Sequence, residues 1–169
     1  FGCQLTLKPA QELMTYVARF EDNSDLPILS TPDKAVRDGL WQWIDGDLLK
    51  RFEQAVLSQS LLGSASSKAQ LKIVYTPLHG TGLQPVSEVL RQAGFSDLHL
   101  SEAQMEPNGD FPTVMSPNPE EKEALKMAIA YGKTIGADLI LGTDPDCDRI
   151  GVAVNDGEQF VLLSGNQVG

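Results

Sequence analysis

Asp144, Asp146 and Asp148 stand at alternate positions between two short apolar runs, 139–142 and 150–154, and Arg149 directly follows the last of them. Carboxylates held this close repel one another. Fully charged, hard oxygen ligands suit Mg2+, Mn2+ or Ca2+, so a divalent cation is the chemistry these residues point to. An EF-hand also begins Asp-x-Asp-x-Asp, but it requires Gly at the sixth place and a bidentate Glu at the twelfth. Arg149 and Asn155 hold those places, which excludes it. The competing explanation is a solvated acidic turn whose carboxylates cap local backbone donors. Such turns are common with one or two aspartates, and three in alternation favour the metal. Arg149 admits two roles: a planar fork beside a metal suits a phosphoryl oxygen, and a plain ion pair neutralises the loop. Thr143 is placed to hydrogen-bond the loop backbone.

The elements around the triplet must carry it to the end of a sheet. Each flanking run has the length and composition of a buried strand, so the acidic segment is a loop at the end of a sheet, where sites are built. Upstream, 71–75 reads as a strand, 84–93 as a helix stopped by Gly94, and 95–100 as a second strand. Asn118 is placed as a helix N-cap, with Pro119 at the first helical position and Glu120 and Glu121 in the first turn. That helix should run to about Ile135, with Leu125, Ala128, Ile129 and Tyr131 facing the sheet. The runs 150–154 and 160–163 flank Asn155-Asp156-Gly157-Glu158, whose Asp-Gly pair signals a hairpin. The sum predicts a three-layer α/β domain with a mostly parallel sheet and an antiparallel edge hairpin.

Nearer the start, 4–7 reads as a short strand, and Pro9 opens a helix to about Phe20 with Leu13, Tyr16, Val17 and Phe20 as its apolar stripe. Residues 21–45 are rich in turn formers and read as a linker. A helix follows from about Asp47, with Leu48, Phe52 and Val56 recurring every four residues, and the polar stretch 63–67 ends it. The expected division is therefore 1–45 as the tail of a preceding domain plus linker, 46–165 as the metal-binding domain, and 166–169 as the start of a further connection. Trp41 and Trp43 are expected to pack the start of the second domain.

A second loop invites a different reading. His79-Gly80-Thr81-Gly82 follows a strand and opens a helix, and Glu102 lies twenty residues past Gly82, which mimics a dinucleotide-binding fingerprint. Pro85 stands where the third glycine belongs, and this counts against a nucleotide. Small residues at such a turn also serve tight packing. His79 is equally compatible with a structural turn and a catalytic role. His99, within an apolar alternation, is a strand residue.

Three stretches, in this order, carry a family resemblance. Tyr75-Thr76-Pro77-Leu78-His79-Gly80-Thr81-Gly82, Phe111-Pro112-Thr113-Val114-Met115-Ser116-Pro117-Asn118-Pro119-Glu120-Glu121 and Thr143-Asp144-Pro145-Asp146-Cys147-Asp148-Arg149 resemble segments of the second domain of the α-D-phosphohexomutases. The last resembles that family's metal loop, often Asp-Gly-Asp-Gly-Asp-Arg; Pro145 and Cys147 stand where glycines are frequent. The resemblance implies that Asp144, Asp146 and Asp148 hold Mg2+, that Arg149 belongs to the active site, and that the loop of His79 borders the cleft. It also implies a hexose phosphate substrate, phosphorylated on carbon 1 or carbon 6, and a phosphoserine with sugar- and phosphate-reading loops on other domains of the same enzyme. None of those loops occurs in this sequence, so the chain reads as the end of a first domain plus a second.

Composition bounds the alternatives. The 169 residues, 41% hydrophobic, can bury one core but not four domains. A net charge of −10 and a pI of about 4.5 argue against nucleic acid and anionic membrane as partners, since both repel an acidic surface. Cys3 and Cys147 are far apart, which favours a reducing compartment. No apolar run reaches membrane-spanning length and no signal peptide opens the chain, so cytoplasm is the expectation. Two other functions stay open on the residues alone: a haloacid dehalogenase-type phosphatase with Asp144 as nucleophile and Asp146 as acid/base, and a nonenzymatic metal-binding domain.

Overall fold

The structure, a computed structural model, describes residues 4–20, 31–44, 46–61 and 70–169. Cys3, the polar stretch 63–67 and most of the first half of the expected linker lie outside the described residues. The chain divides into two compact units, Phe1–Ile44 and Asp45–Gly169. No helix among the described residues is long and apolar enough to cross a membrane.

In the first unit, α1 (Leu7–Val17) runs into a 3-10 turn, Ala18–Phe20. The short strand expected over 4–7 is absent. A strand needs a partner for its backbone, whereas Pro9 is tolerated in the first helical turn, where N–H groups have no intrahelical acceptor. α2 (Pro32–Arg37) begins within the stretch read as linker. Thr31 caps it by accepting from the Lys34 N–H at 3.4 Å, Pro32 supplies a preset first turn, and Lys34 pairs with Asp38. The Trp41 and Trp43 rings lie 4.9 Å apart between centroids.

The second unit begins with α3 (Gly46–Ser58) and is built on five strands: β1 (Ile73–Thr76), β2 (Leu98–Leu100), β3 (Leu139–Thr143), β4 (Ile150–Asn155) and β5 (Phe160–Leu163). Their order is β2-β1-β3-β4-β5. β1 pairs parallel with β2 and β3, while β3, β4 and β5 pair antiparallel. The sheet is therefore mixed, parallel at one side with the antiparallel hairpin at the other edge. α4 (Leu83–Gln92) connects β1 to β2, and α5 (Lys126–Ile135) leads from the far side back to β3. These crossovers run in opposite directions across the sheet, and right-handed crossovers then place the two helices on opposite faces, giving three layers.

The central strand β1, covered on both faces, is buried along its whole length. Val74, Ile140, Ala153 and Phe160 form one core face with Ala128 of α5 and Ala137, and Ile129, Ile135 and Leu162 pack around it. Gly132 lets α5 lie close, since a Cβ there would sit 2.5 Å from the Ile140 side chain. α5 ends at Gly136, whose φ of 65° is the left-handed C-cap that glycine adopts without steric cost. The β4–β5 hairpin forms as its Asp-Gly pair predicts: Asp156 accepts from Glu158 and Gln159 N–H groups at 2.9 and 2.8 Å, and Gly157 has φ 99°. α6 (Gly165–Val168) closes the chain, with Gln167 Oε1 accepting from the Ser164 N–H at 2.8 Å.

Two expectations differ. α5 starts at Lys126, not at Asn118. Residues 119–125 instead form successive turns, with Glu121 N–H bonded to Asn118 O at 3.0 Å and Ala124 N–H to Glu121 O at 3.1 Å. Pro119 is buried and its carbonyl lies where a Cβ on Gly151 would fall, at 1.9 Å, while Leu125 fills the space left by Gly142. Tertiary packing on β3 and β4 thus overrides a locally good helix start. In α3 the inward face is Leu49, Glu53 and Leu57, one residue out of phase with the apolar series Leu48, Phe52 and Val56, which stays exposed. Buried Glu53 accepts from Gln92 of α4 at 3.5 Å.

Candidate metal centre

β1 lies between β2 and β3, and the crossover from β1 to β2 runs opposite to the one from β2 to β3, so the carboxyl ends of β1 and β3 border the topological switch point of the sheet, where open α/β folds bind ligands. Both loops singled out in the sequence start there: 77–82 after β1, and 144–149 after β3.

The acidic loop is organised by its first carboxylate. Asp144 is buried, 1% exposed. Its Oδ1 accepts from the Asp148 and Arg149 N–H groups at 3.0 and 2.9 Å, and its Oδ2 accepts from Arg149 Nε at 2.7 Å. These bonds wrap the loop into a turn, closed also by Cys147 N–H to Asp144 O at 3.0 Å. Cys147 has φ 62°, the left-handed region that favours glycine. Asp146 and Asp148 point outward and are exposed. The structure brings one ligand oxygen of each of Asp144, Asp146 and Asp148 within 4.8 Å of the others. Arg149 is half exposed, and among the described residues neither Nη atom has a hydrogen-bond partner.

Charge in this loop is unbalanced. Burial works to raise the Asp144 carboxyl, but the Arg149 N–H, its guanidinium and Asp148 outweigh it and hold Asp144 below the usual carboxylate range. Asp148 is pushed up, first by sharing a hydrogen bond with Asp144 and then by the charges of Asp146 and Asp144. Arg149 is raised by its bond to Asp144 and is fully charged. Three carboxylates held together with one arginine are a donor set short of positive charge, and a hard divalent cation fits it. Burial pushes the Cys147 thiol up, as do the three carboxylates, so it is not a reactive thiolate.

The β1 turn is packed directly onto this loop. Thr81 donates to Pro145 O from N–H at 2.8 Å and from Oγ1 at 3.1 Å. A Cβ on Gly80 would stand 2.3 Å from Pro145 Cα, and one on Gly82 2.4 Å from Tyr75 Oη and 2.8 Å from Thr143 Oγ1. The Gly-x-Gly pattern that mimics a nucleotide loop is thus explained by close approach of two loops. Thr143 hydrogen-bonds Tyr75 Oη at 2.8 Å, which ties β3 to β1 beside the site. Burial raises the Tyr75 phenol well above its ordinary value, so it stays neutral.

His79 is buried, and both its ring nitrogens have partners within the chain: Nδ1 with Glu106 O at 3.0 Å and Nε2 with Thr113 Oγ1 at 2.9 Å. It is brought beside the acidic loop through Gly80 but does not face it with a free nitrogen. Among the described residues, Leu78, His79, Phe111 and Cys147 are the non-glycine residues with positive φ, and all lie in the loops that follow β1, β2 and β3. Strain of this kind concentrates at functional sites. The sequence gives no sign of Gln104, which is wholly buried and bonded to Thr76 and Thr113, because its partners lie up to 28 residues away. Asp146 and Cys147 also border an apolar groove formed by Phe52 and Val56 of α3 with Val86 and Val89 of α4, which accounts for the exposed apolar stripe of α3.

Residues 49–157 match the family described as phosphoglucomutase/phosphomannomutase, alpha/beta/alpha domain II. A phosphoglucomutase of Staphylococcus epidermidis is 33% identical over 171 aligned residues, covering 99% of this chain and 30% of that protein. One from Staphylococcus aureus strain USA300 is 40% identical over the same coverage. The chain thus spans about 30% of the length of these curated relatives. Among solved structures, a phosphoglucomutase/phosphomannomutase family protein from Burkholderia thailandensis shares the fold with a TM-score of 0.52 at 24% identity, over 76% of this chain and 27% of that one. A putative phosphomannomutase from Thermus thermophilus does so with a TM-score of 0.53 at 24% identity, over 67% and 25%. With the α/β/α domain matched from α3 to the β4–β5 hairpin and the acidic loop at its switch point, the chain belongs to the phosphoglucomutase/phosphomannomutase family.

Proposed function

We propose that this chain is the metal-carrying part of an enzyme that interconverts hexose 1-phosphate and hexose 6-phosphate by way of a phosphoserine and a bisphosphorylated sugar. The observation that carries the reading is the convergence of Asp144, Asp146 and Asp148 within 4.8 Å at the switch point. These three carboxylates would hold Mg2+, with the phosphoserine, supplied by another domain of the same enzyme, as a further oxygen ligand. When bound, the ion supplies Lewis-acid polarisation of a phosphoryl oxygen.

The chain's own residues do the rest of the work assigned here. Phosphoryl transfer spreads negative charge over three oxygens, so positioning and countercharge dominate. Arg149, anchored through Nε on Asp144, presents its outer edge to a phosphoryl group. Asp144 accepts hydrogen bonds on both oxygens, which suits a fixed ligand better than a phosphatase nucleophile. His79, with both nitrogens engaged, positions the cleft-side loop and exchanges no proton with substrate. The substrate and the remaining domains are therefore the partners, and a cytoplasmic setting fits a hexose phosphate.

A coupled assay that converts newly formed glucose 6-phosphate to a chromophore tests the reading. The complete enzyme is expected to turn over glucose 1-phosphate or a related hexose phosphate in a Mg2+-dependent way. The 169-residue chain is expected to show none, because it carries no phosphoryl acceptor and cannot orient the sugar. Turnover by the purified chain, or none by the complete enzyme on any hexose phosphate, contradicts it.

A further inference from the structure

Gln104 is wholly buried in the turn after β2, and nothing in the proposed chemistry uses it. Its Oε1 accepts from Thr76 Oγ1 at 2.9 Å and from Ser101 Oγ at 3.4 Å. Its Nε2 donates to Thr113 Oγ1 at 3.1 Å, and its backbone carbonyl accepts from the His79 N–H at 2.9 Å. Thr76 Oγ1 in turn accepts from the Leu78 N–H at 3.2 Å. The direction of the remaining bonds follows. Glu106 O can only accept, so the proton of the neutral His79 ring sits on Nδ1 and donates to it, which leaves Nε2 to accept from the Thr113 hydroxyl.

One side chain thus joins the end of β1, the left-handed pair Leu78 and His79, with φ of 47° and 61°, and the loop through Thr113. The next residues, Gly80 and Thr81, are those that press on Pro145 of the acidic loop. A left-handed turn of two non-glycine residues persists only when its surroundings over-determine it. The Gln104 network supplies that determination, and buried networks of this kind are stiff when every member is satisfied.

We propose that Gln104 is a positioning residue for the metal loop: through Thr76, Thr113 and His79 it fixes the 78–79 turn, and so sets where Gly80 and Thr81 seat Pro145 between Asp144 and Asp146. Its meaning for catalysis rests on the metal reading above; the structural link does not.

Amide hydrogen exchange on the 169-residue chain, read at Thr81 and Arg149 against β3 and β4, tests the link, with Mn2+ affinity measured alongside. Thr113→Val removes the hydroxyl between Gln104 and His79 with little change of shape, Thr113→Ser keeps it, and Gln104→Met removes the amide at similar length. Thr113→Val and Gln104→Met should speed exchange at Thr81 by roughly tenfold relative to β3 and β4, and Thr113→Ser should restore it. Mn2+ affinity should fall and recover in parallel. Unchanged exchange at Thr81 and Arg149 in Thr113→Val overturns the proposal, and so does an equal loss of protection throughout β3 and β4. Should Gln104→Met fail to fold, the two Thr113 variants decide alone. A native chain that binds no Mn2+ would sink the metal reading, while exchange would still judge the link.

Discussion

Arg149 reaches Asp144 through Nε at 2.7 Å and keeps the rest of its fork toward solvent, so both roles foreseen for it are open to one side chain. They separate by substitution in the complete enzyme. Arg149→Lys keeps the charge and loses the two-point contact, so turnover and kcat/KM should fall together by roughly tenfold or more while the melting temperature holds. If Arg149 only balances the loop, Lys serves nearly as well and Arg149→Ala harms stability or metal affinity more than rate. Steady-state kinetics beside thermal melts tell the two apart. Gly80 makes a sharper structural case, since the obstacle to a Cβ is the Pro145 backbone and not a mobile side chain. Gly80→Ala should cost about 1–3 kcal/mol in urea unfolding, whereas Gly109→Ala, with open space, should stay within about 0.5 kcal/mol. At this scale the sequence shows the aspartate triplet, because its meaning lies in local spacing. It does not show that His79 has both nitrogens occupied, nor that Gln104 matters, because those facts depend on partners brought from distant segments.

Elements were legible in proportion to how local their signals are. The β4–β5 hairpin follows from Asp156-Gly157 alone, and α5 stops where Gly136 permits a left-handed cap. The start of α5 was not legible, since Asn118, Pro119 and Glu121 satisfy every capping rule while the contact that overrides them, Pro119 against Gly151, joins distant parts of the chain. The inward face of α3 escaped for a similar reason: the exposed series Phe52 and Val56 lines the groove against α4. The hairpin carries a pH prediction. The Gln159 and Glu158 N–H groups hold Asp156 below the ordinary carboxylate range. A carboxyl lowered on folding stabilises above its unfolded pKa, and that contribution is lost as pH falls through the folded value. Urea unfolding of the native chain and Asp156→Ala should differ most near about pH 6 and converge toward about pH 2. A gap that stays constant or widens on acidification would contradict this account of the turn.

For the molecule as a whole, alternating strands and helices predict a mostly parallel α/β sheet with an antiparallel edge, and the structure has that architecture. What pattern reading cannot supply is the strand order, and it is the order β2-β1-β3 that turns two separate loops into one site. The central claim is that this site holds a divalent cation on Asp144, Asp146 and Asp148. Mn2+ relaxation and calorimetry on the 169-residue chain test it most directly, comparing the native sequence with Asp146→Asn, an exposed position whose replacement leaves the buried Asp144 turn intact. Three carboxylates are fewer than the six oxygens Mg2+ prefers, so the native chain should bind weakly and Asp146→Asn should bind roughly tenfold more weakly still. Equal Mn2+ binding by the two proteins would contradict the assignment.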